Sequence, residues 1–206
     1  MGGRGYSSAT ARQTSSMRRL SGVRDYGAKI DGVPAYANEA LMAWGSDNSS
    51  MSFREIIDSQ MGRGSNPEAA KHAETLERML QGREFKKDIW RGVSMTEQEF
   101  SQLKEGFGFG QHNARNALSS WSESNGVALE FATANAHSAK GSVPVLFVMK
   151  GGTKSGMSIS KHAERDNRGW EKEVLVSQRS KLDVTFVSDK LSNAAGSFYI
   201  VEVKER

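Results

Sequence analysis

The chain changes texture once, near residue 85, and that change limits what it can fold into. Before it, apolar residues recur at helical spacing. Residues 36–44 form one such stretch, and residues 51–61 a second, with Phe53, Ile56 and Ile57. A third helix is delimited at both ends. Asn66 is placed to cap it, Pro67 suits its first turn, Glu68 favours the helix dipole and Gly82 stops it. Along it Ala69, Ala73, Leu76 and Leu80 make an apolar stripe. Beyond residue 85 the apolar runs shorten to strand length. They fall at 88–93, 117–121, 143–149, 174–176, 182–187 and 198–203. Two helices interrupt them. One opens at the capping-box pattern Ser94-Met95-Thr96-Glu97 and runs through Leu103; the other covers 126–136, with Val127, Ala128, Phe131 and Ala132 on one face. Helices first and strands later predict an α+β fold with a largely antiparallel sheet, and no internal repeat is seen.

At 206 residues the chain is long enough for one domain with a substantial core. It has no cysteine, which removes disulfides, zinc–thiolate sites and cysteine nucleophiles and is compatible with a reducing cytoplasm. No apolar run reaches membrane-spanning length, and the N-terminus lacks the apolar core of a secretory signal. Met1-Gly2 opens like a myristoylation site, but Tyr6 stands where serine or threonine is required. The formal charge of +4 suits an acidic or phosphate-bearing partner. Residues 1–24 carry Arg4, Arg12, Arg18, Arg19 and Arg24 with no acid among Gly, Ser and Thr. Such a segment buries too little apolar surface to offset its ordering entropy. We therefore read residues 1–25 as a flexible basic leader and residues 26–206 as a single domain. The leader reads either as a solvated tail or as an electrostatic arm for nucleic acid or an acidic partner.

Three segments carry chemistry. Gly169-Trp170-Glu171-Lys172-Glu173 runs into the apolar Val174-Leu175-Val176. In a strand, Glu171 and Glu173 share a face. Two carboxylates there call for a cationic guest: a guanidinium, a metal, or a sugar developing oxocarbenium character. The plainer reading is a strand end with two solvated acids. Ile89-Trp90-Arg91-Gly92-Val93 sets an arginine on a short apolar strand, where it needs an anion, with a glycine beside it that lets the anion approach the backbone. Leu118-Ser119-Ser120-Trp121-Ser122 offers alternating hydroxyls and an aromatic wall, followed by Ala128-Leu129-Glu130-Phe131-Ala132. The run Gly106-Phe107-Gly108-Phe109-Gly110 lacks a following Lys-Ser/Thr and is read as a turn, not a P-loop. His72, His112, His137 and His162 show no metal-ligand spacing, so no metal is expected.

Taken in order, these segments resemble the Arg-Ser-Glu class of mono-ADP-ribosyltransferases, known from binary toxins, vertebrate ectoenzymes and tailed phages. The pattern is an aromatic-Arg-Gly strand, a Ser-x-Ser strand with a downstream Ala-x-x-Phe-Ala helix, and Glu-x-Glu followed by aliphatics. The match spans residues 85–205, and Trp121 stands where the class most often has threonine. The size and basic leader are most similar to the phage members. The resemblance implies an ADP-ribosyltransferase-type sheet core, NAD as co-substrate and no metal. It implies that Arg91 holds the NAD pyrophosphate and that Gly92 offers its backbone to the carboxamide. Ser120 would orient Glu173, which would grip the ribose and stabilise its developing cation; Glu171 would engage the nucleophile. Trp121, Ser122, Phe131 and residues 135–142 would line the NAD pocket, although Phe131 also suits the core. A glutamate at position 171 goes with arginine as acceptor. The charged loop with Lys161, Glu164, Arg165, Asp166 and Arg168, and Trp170 at its base, would contact a protein substrate; on the residues alone it is a solvated loop. The implied setting is a host bacterial cytoplasm, with possible delivery by a virion. An NAD glycohydrolase and a non-catalytic basic binding module are the other readings.

Overall fold

The computed structural model describes residues 32–48, 51–105, 117–138, 141–163, 168–194 and 196–206. The predicted leader, the glycine run 106–110, His112 and Glu164 to Asp166 lie outside them, as do the side chains at 135–140. The chain divides into two compact units, residues 1–79 with 159–170, and residues 80–158 with 171–206.

The first unit is helical. A 3-10 turn at Ala35–Ala37 leads into α1 (Asn38–Trp44), and the short strands β1 (Asp47–Asn48) and β2 (Met51–Ser52) pair antiparallel. The second predicted helix loses its first two residues to β2 and forms α2 (Phe53–Gln60). The third, α3 (Pro67–Leu80), begins as expected. Asn66 Oδ1 accepts the Glu68 N–H at 3.0 Å and the Ala69 N–H at 3.3 Å, satisfying two of the amides that a helix start leaves unpaired. Gly82, just past its end, takes φ of 69°, the left-handed conformation that closes a helix at least steric cost. Ala69, Ala73 and Leu76 are buried, with Leu41, Trp44 and Ile56. The short helix α6 (Ser160–Ala163) also belongs to this unit.

The second unit is a mixed, mostly antiparallel sheet. Its strands are β3 (Ile89–Thr96), β4 (Ser119–Ser122), β5 (Ser142–Met149), β6 (Gly156–Ser158), β7 (Glu173–Val176), β8 (Leu182–Val187), β9 (Leu191–Asn193) and β10 (Gly196–Glu205). They lie in the order β6-β7-β4-β3-β5-β10-β8, with β9 on β10, and only β5 and β10 run parallel. Strand alternation separates two apolar layers. Val145, Phe147 and Met149 of β5 join Ile89, Met95, Trp121, Val174 and Val176 on one side; Leu146 joins Trp90, Ala128 and Phe198 on the other. The second layer is covered by α5 (Asn125–Ser138). The strand predicted at 88–93 continues to Thr96, so the capping box lies two residues later than expected. Thr96 Oγ1 accepts the Glu99 N–H and Glu99 Oε2 accepts the Thr96 N–H, opening α4 (Glu97–Lys104).

The C-terminal end of β10 is anchored by one carboxylate. Glu205 Oε2 accepts the Thr153 hydroxyl at 2.7 Å and the Lys154 N–H at 2.6 Å, and Oε1 accepts the Ser155 hydroxyl at 2.8 Å. Ser155 in turn lies 2.5 Å from the Ser180 hydroxyl. Burial acts to raise the Glu205 carboxyl, but the hydrogen bonds from Lys154, Thr153, Ser155 and Ser180 outweigh it and hold it below the usual carboxylate value of 4.5. A depressed folded-state value contributes stability that is present above 4.5 and is lost as pH falls through the lower, folded-state value. Glu205→Gln, which cannot accept all three donors, is expected to lower stability by about 1–3 kcal/mol near neutral pH. Denaturant unfolding from neutral to acid pH checks this, with the wild-type advantage shrinking as the carboxylate protonates.

Candidate active site

Two adjacent strands carry the serine and glutamate segments in fixed register. In the antiparallel β4–β7 pair, Ser119 faces Val176, Ser120 faces Leu175, Trp121 faces Val174 and Ser122 faces Glu173. Cross-strand partners share a face, so Ser120, Ser122, Glu173 and Leu175 point one way and Trp121 and Val174 the other. Ser120 is therefore a diagonal neighbour of Glu173, and Ser122 stands directly across from it. Trp121 is buried in the core layer at 2% exposure, its indole N–H donating to Ser119 Oγ at 3.1 Å. The expected aromatic wall against a ligand is not formed by this residue; strand alternation turns it into the core.

Glu171 and Glu173 are not successive same-face residues of one strand, as the spacing had predicted. Glu171 closes a 3-10 turn, Gly169–Glu171, and β7 begins only at Glu173. Between them Lys172 takes φ of 47°, the one described non-glycine residue in the left-handed region. Two hydrogen bonds from the end of β4 hold this turn. The Ser122 hydroxyl donates to the Glu171 carbonyl at 2.6 Å, and the Glu123 N–H donates to the Lys172 carbonyl at 3.0 Å. Ser122 Oγ also accepts the Ser124 N–H at 3.0 Å, so the same hydroxyl ties the turn to the start of α5. Glu173 is buried at 5% exposure, whereas Glu171 is half-buried.

Glu123, which sequence reasoning passed over, follows β4 directly, and its carboxylate is held by Ser158 of β6 and Lys87. Its Oε1 accepts the Ser158 hydroxyl at 3.0 Å and its Oε2 lies 3.3 Å from Lys87 Nζ. The Ser158 hydroxyl also lies 3.5 Å from the Glu173 carbonyl. Only its position just after Ser122 could have drawn attention to Glu123.

On the other side of β4 lies the arginine strand. Arg91 is half-buried in β3, paired with Phe147 of β5, and Gly92 is paired with Leu146. The β3–β4 ladder consists of a single pair, Trp90 with Ser122. Continued register would bring Arg91 opposite Trp121 and Gly92 opposite Ser120, but the ladder ends before these pairs. Arg91-Gly92 on one strand and Ser120 on the other thus lie just beyond the last pair of this ladder. The clearance at Gly92 serves a further purpose: a Cβ there would lie 1.6 Å from the Ala128 carbonyl oxygen and 2.7 Å from the Ala132 nitrogen, so only glycine lets α5 sit on the sheet. Phe131 of α5 is 37% exposed and so lies outside the core, and Trp170 is 53% exposed.

No family model matches the chain, and no curated protein matches it. Solved structures do. The Vis toxin, an ADP-ribosyltransferase from Vibrio splendidus, superposes with a TM-score of 0.56 at 17% identity, covering 100% of this chain and 88% of its own. Exoenzyme S from Pseudomonas aeruginosa, in complex with human 14-3-3 protein beta and bound to carba-NAD, gives 0.58 at 14% identity over 96% of this chain and 88% of its own. The enzymatic component C2-I of the Clostridium botulinum C2 toxin gives 0.55 at 13% identity over 94% of this chain and 46% of its own. The chain therefore has the ADP-ribosyltransferase fold.

The left-handed residue and its clamp can be tested separately. Lys172→Gly removes the steric cost of positive φ and is expected to leave stability within about 1 kcal/mol of wild type, whereas Lys172→Val is expected to cost about 1–3 kcal/mol. Ser122→Ala takes the hydroxyl from the part-buried Glu171 carbonyl and Ser124 N–H and is expected to cost about 1–3 kcal/mol. Chemical denaturation of the three variants provides the measurement.

Proposed function

We propose that this chain is an NAD-dependent mono-ADP-ribosyltransferase that moves ADP-ribose to arginine side chains of proteins and releases nicotinamide. The observation that carries this reading is the buried Glu173 at the start of β7, bound through a clamped turn to the more accessible Glu171, on the strand next to β4, whose ladder with the arginine strand β3 is a single pair. The fold supports NAD as the co-substrate.

In this reaction the bond between nicotinamide nitrogen and ribose C1′ breaks, and its electron pair neutralises the pyridinium. Positive charge passes to the ribose, where a carboxylate already held in place lowers the barrier without reorganising. Glu173 takes that role and the ribose 2′-hydroxyl. Arg91 pairs with the pyrophosphate, and the backbone of Gly92, at the edge where the ladder stops, meets the carboxamide. Ser120, the diagonal neighbour of Glu173, orients it, while Ser122 holds the turn. Glu171 accepts the paired N–H groups of an incoming guanidinium and takes up its proton as nitrogen attacks C1′. A neutral amide could not do the same, which is the ground for choosing arginine as acceptor. The charged segment with Lys161 and Arg168, and Trp170 after it, contact the protein substrate. Residues 26–206 act as one catalytic domain and residues 1–25 as a basic arm, in the cytoplasm of a bacterial host.

Incubation of the purified chain with labelled NAD and a bacterial lysate tests the reading. Hydroxylamine-labile label is expected on protein, and Glu173→Gln is expected to reduce it by about 10²–10³-fold. Glu171→Gln should keep NAD cleavage and lose protein label. Free ADP-ribose with no labelled protein would make the chain an NAD glycohydrolase. Absence of NAD turnover by the folded chain would leave a binding module.

A further inference from the structure

The first compact unit holds a side-chain cluster that this chemistry does not use. Glu39 lies in the first turn of α1, and Glu68 and His72 lie one turn apart near the start of α3. One carboxylate oxygen from each glutamate and one imidazole nitrogen all lie within 4.8 Å of one another. His72 Nε2 is 3.9 Å from Glu68 Oε1, outside hydrogen-bond range. The imidazole is not a surface group: His72 is 6% exposed, and its nitrogen is turned toward two carboxylates that stand in solvent.

Each part of this arrangement is unfavourable alone. Two like charges at this separation repel, and the largely buried imidazole faces them without a hydrogen bond to either. A single cation relieves both. We propose that Glu39, Glu68 and His72 bind a divalent transition-metal ion that joins α1 to α3.

The donor set selects the class of ion. One imidazole with two carboxylates suits Zn²⁺ or Co²⁺, whereas Ca²⁺ and Mg²⁺ take oxygen alone. Donors about 2.0–2.2 Å from a tetrahedral ion lie roughly 3.3–3.6 Å apart. Closing from the present spacing needs only an adjustment of the two exposed glutamate side chains. Water completes the shell. The histidines had shown no ligand spacing in the sequence because two of the three ligands are glutamates and Glu39 is contributed from a different helix. The i,i+4 relation of Glu68 and His72 was readable, but on one helix it is equally an ordinary surface pair.

The test uses the untagged full chain, stripped of metal by chelation. Titration with Co²⁺ followed by visible absorption, and with Zn²⁺ by calorimetry, is expected to give one saturable equivalent. Zn²⁺ at a hundredfold excess over Kd should raise Tm by about 5–10 °C. Glu39→Gln and Glu68→Gln change exposed side chains and keep the fold, which circular dichroism verifies. Each is expected to weaken binding by at least about tenfold. No saturable equivalent, or a Zn²⁺ affinity unchanged in both variants, would overturn the site. NAD turnover is read in parallel; this proposal stands whether or not the chain transfers ADP-ribose.

Discussion

The candidate site depends on the pairing of β4 with β7. Ser122 sits across from Glu173, and that register decides which residues share a face. A slip of one residue would exchange Trp121 for Ser122 opposite Glu173 and drive the indole out of the core. The burial of Trp121, Val174 and Val176 on one side therefore fixes Ser120, Ser122 and Glu173 on the other. Hydrophobic packing supplies the energy, and the polar face inherits its position from it. The two hydrogen bonds from Ser122 and Glu123 then extend this order beyond the strand, into a turn that would otherwise be free to choose its conformation.

A second constraint acts from the helix side. Because α5 lies against Gly92, its backbone approaches β3 more closely than any side chain would permit. The same helix is tied at its start to Ser122 through Ser124. One hydroxyl thus links the beginning of α5, the end of β4 and the turn before β7. These links lie on the two strands whose ladder is the single pair Trp90 and Ser122.

Much of this could be read from residues, because the signals were local. Asn66, Pro67 and Gly82 delimited α3 through capping chemistry, and the apolar run at 143–149 could only be a buried strand. The order of helices before strands gave the fold class. What escaped was non-local or depended on a single backbone angle. Nothing in Glu171-Lys172-Glu173 announces that Lys172 adopts a left-handed conformation; its carbonyl is held by Glu123, distant in sequence. Trp121 was misassigned because an aromatic between serines fits a ligand wall and a core position equally well, and only pairing with β7 decides. Gly92 was read as room for an anion; that its missing Cβ also makes room for a helix was not legible.

The left-handed turn also changes the argument for two glutamates. Had both lain on one strand face, they would have met the same environment and repelled one another there. With Glu171 in the turn and Glu173 in the strand, burial separates them: one at 5% exposure, the other half-buried. A buried carboxylate has few waters to shed when a cation forms against it, so its field acts at full strength in a low-dielectric setting. A half-buried one exchanges partners readily with solvent and with an incoming base. The different burial of two identical side chains thus goes with one residue at φ of 47° and the two hydrogen bonds that hold it.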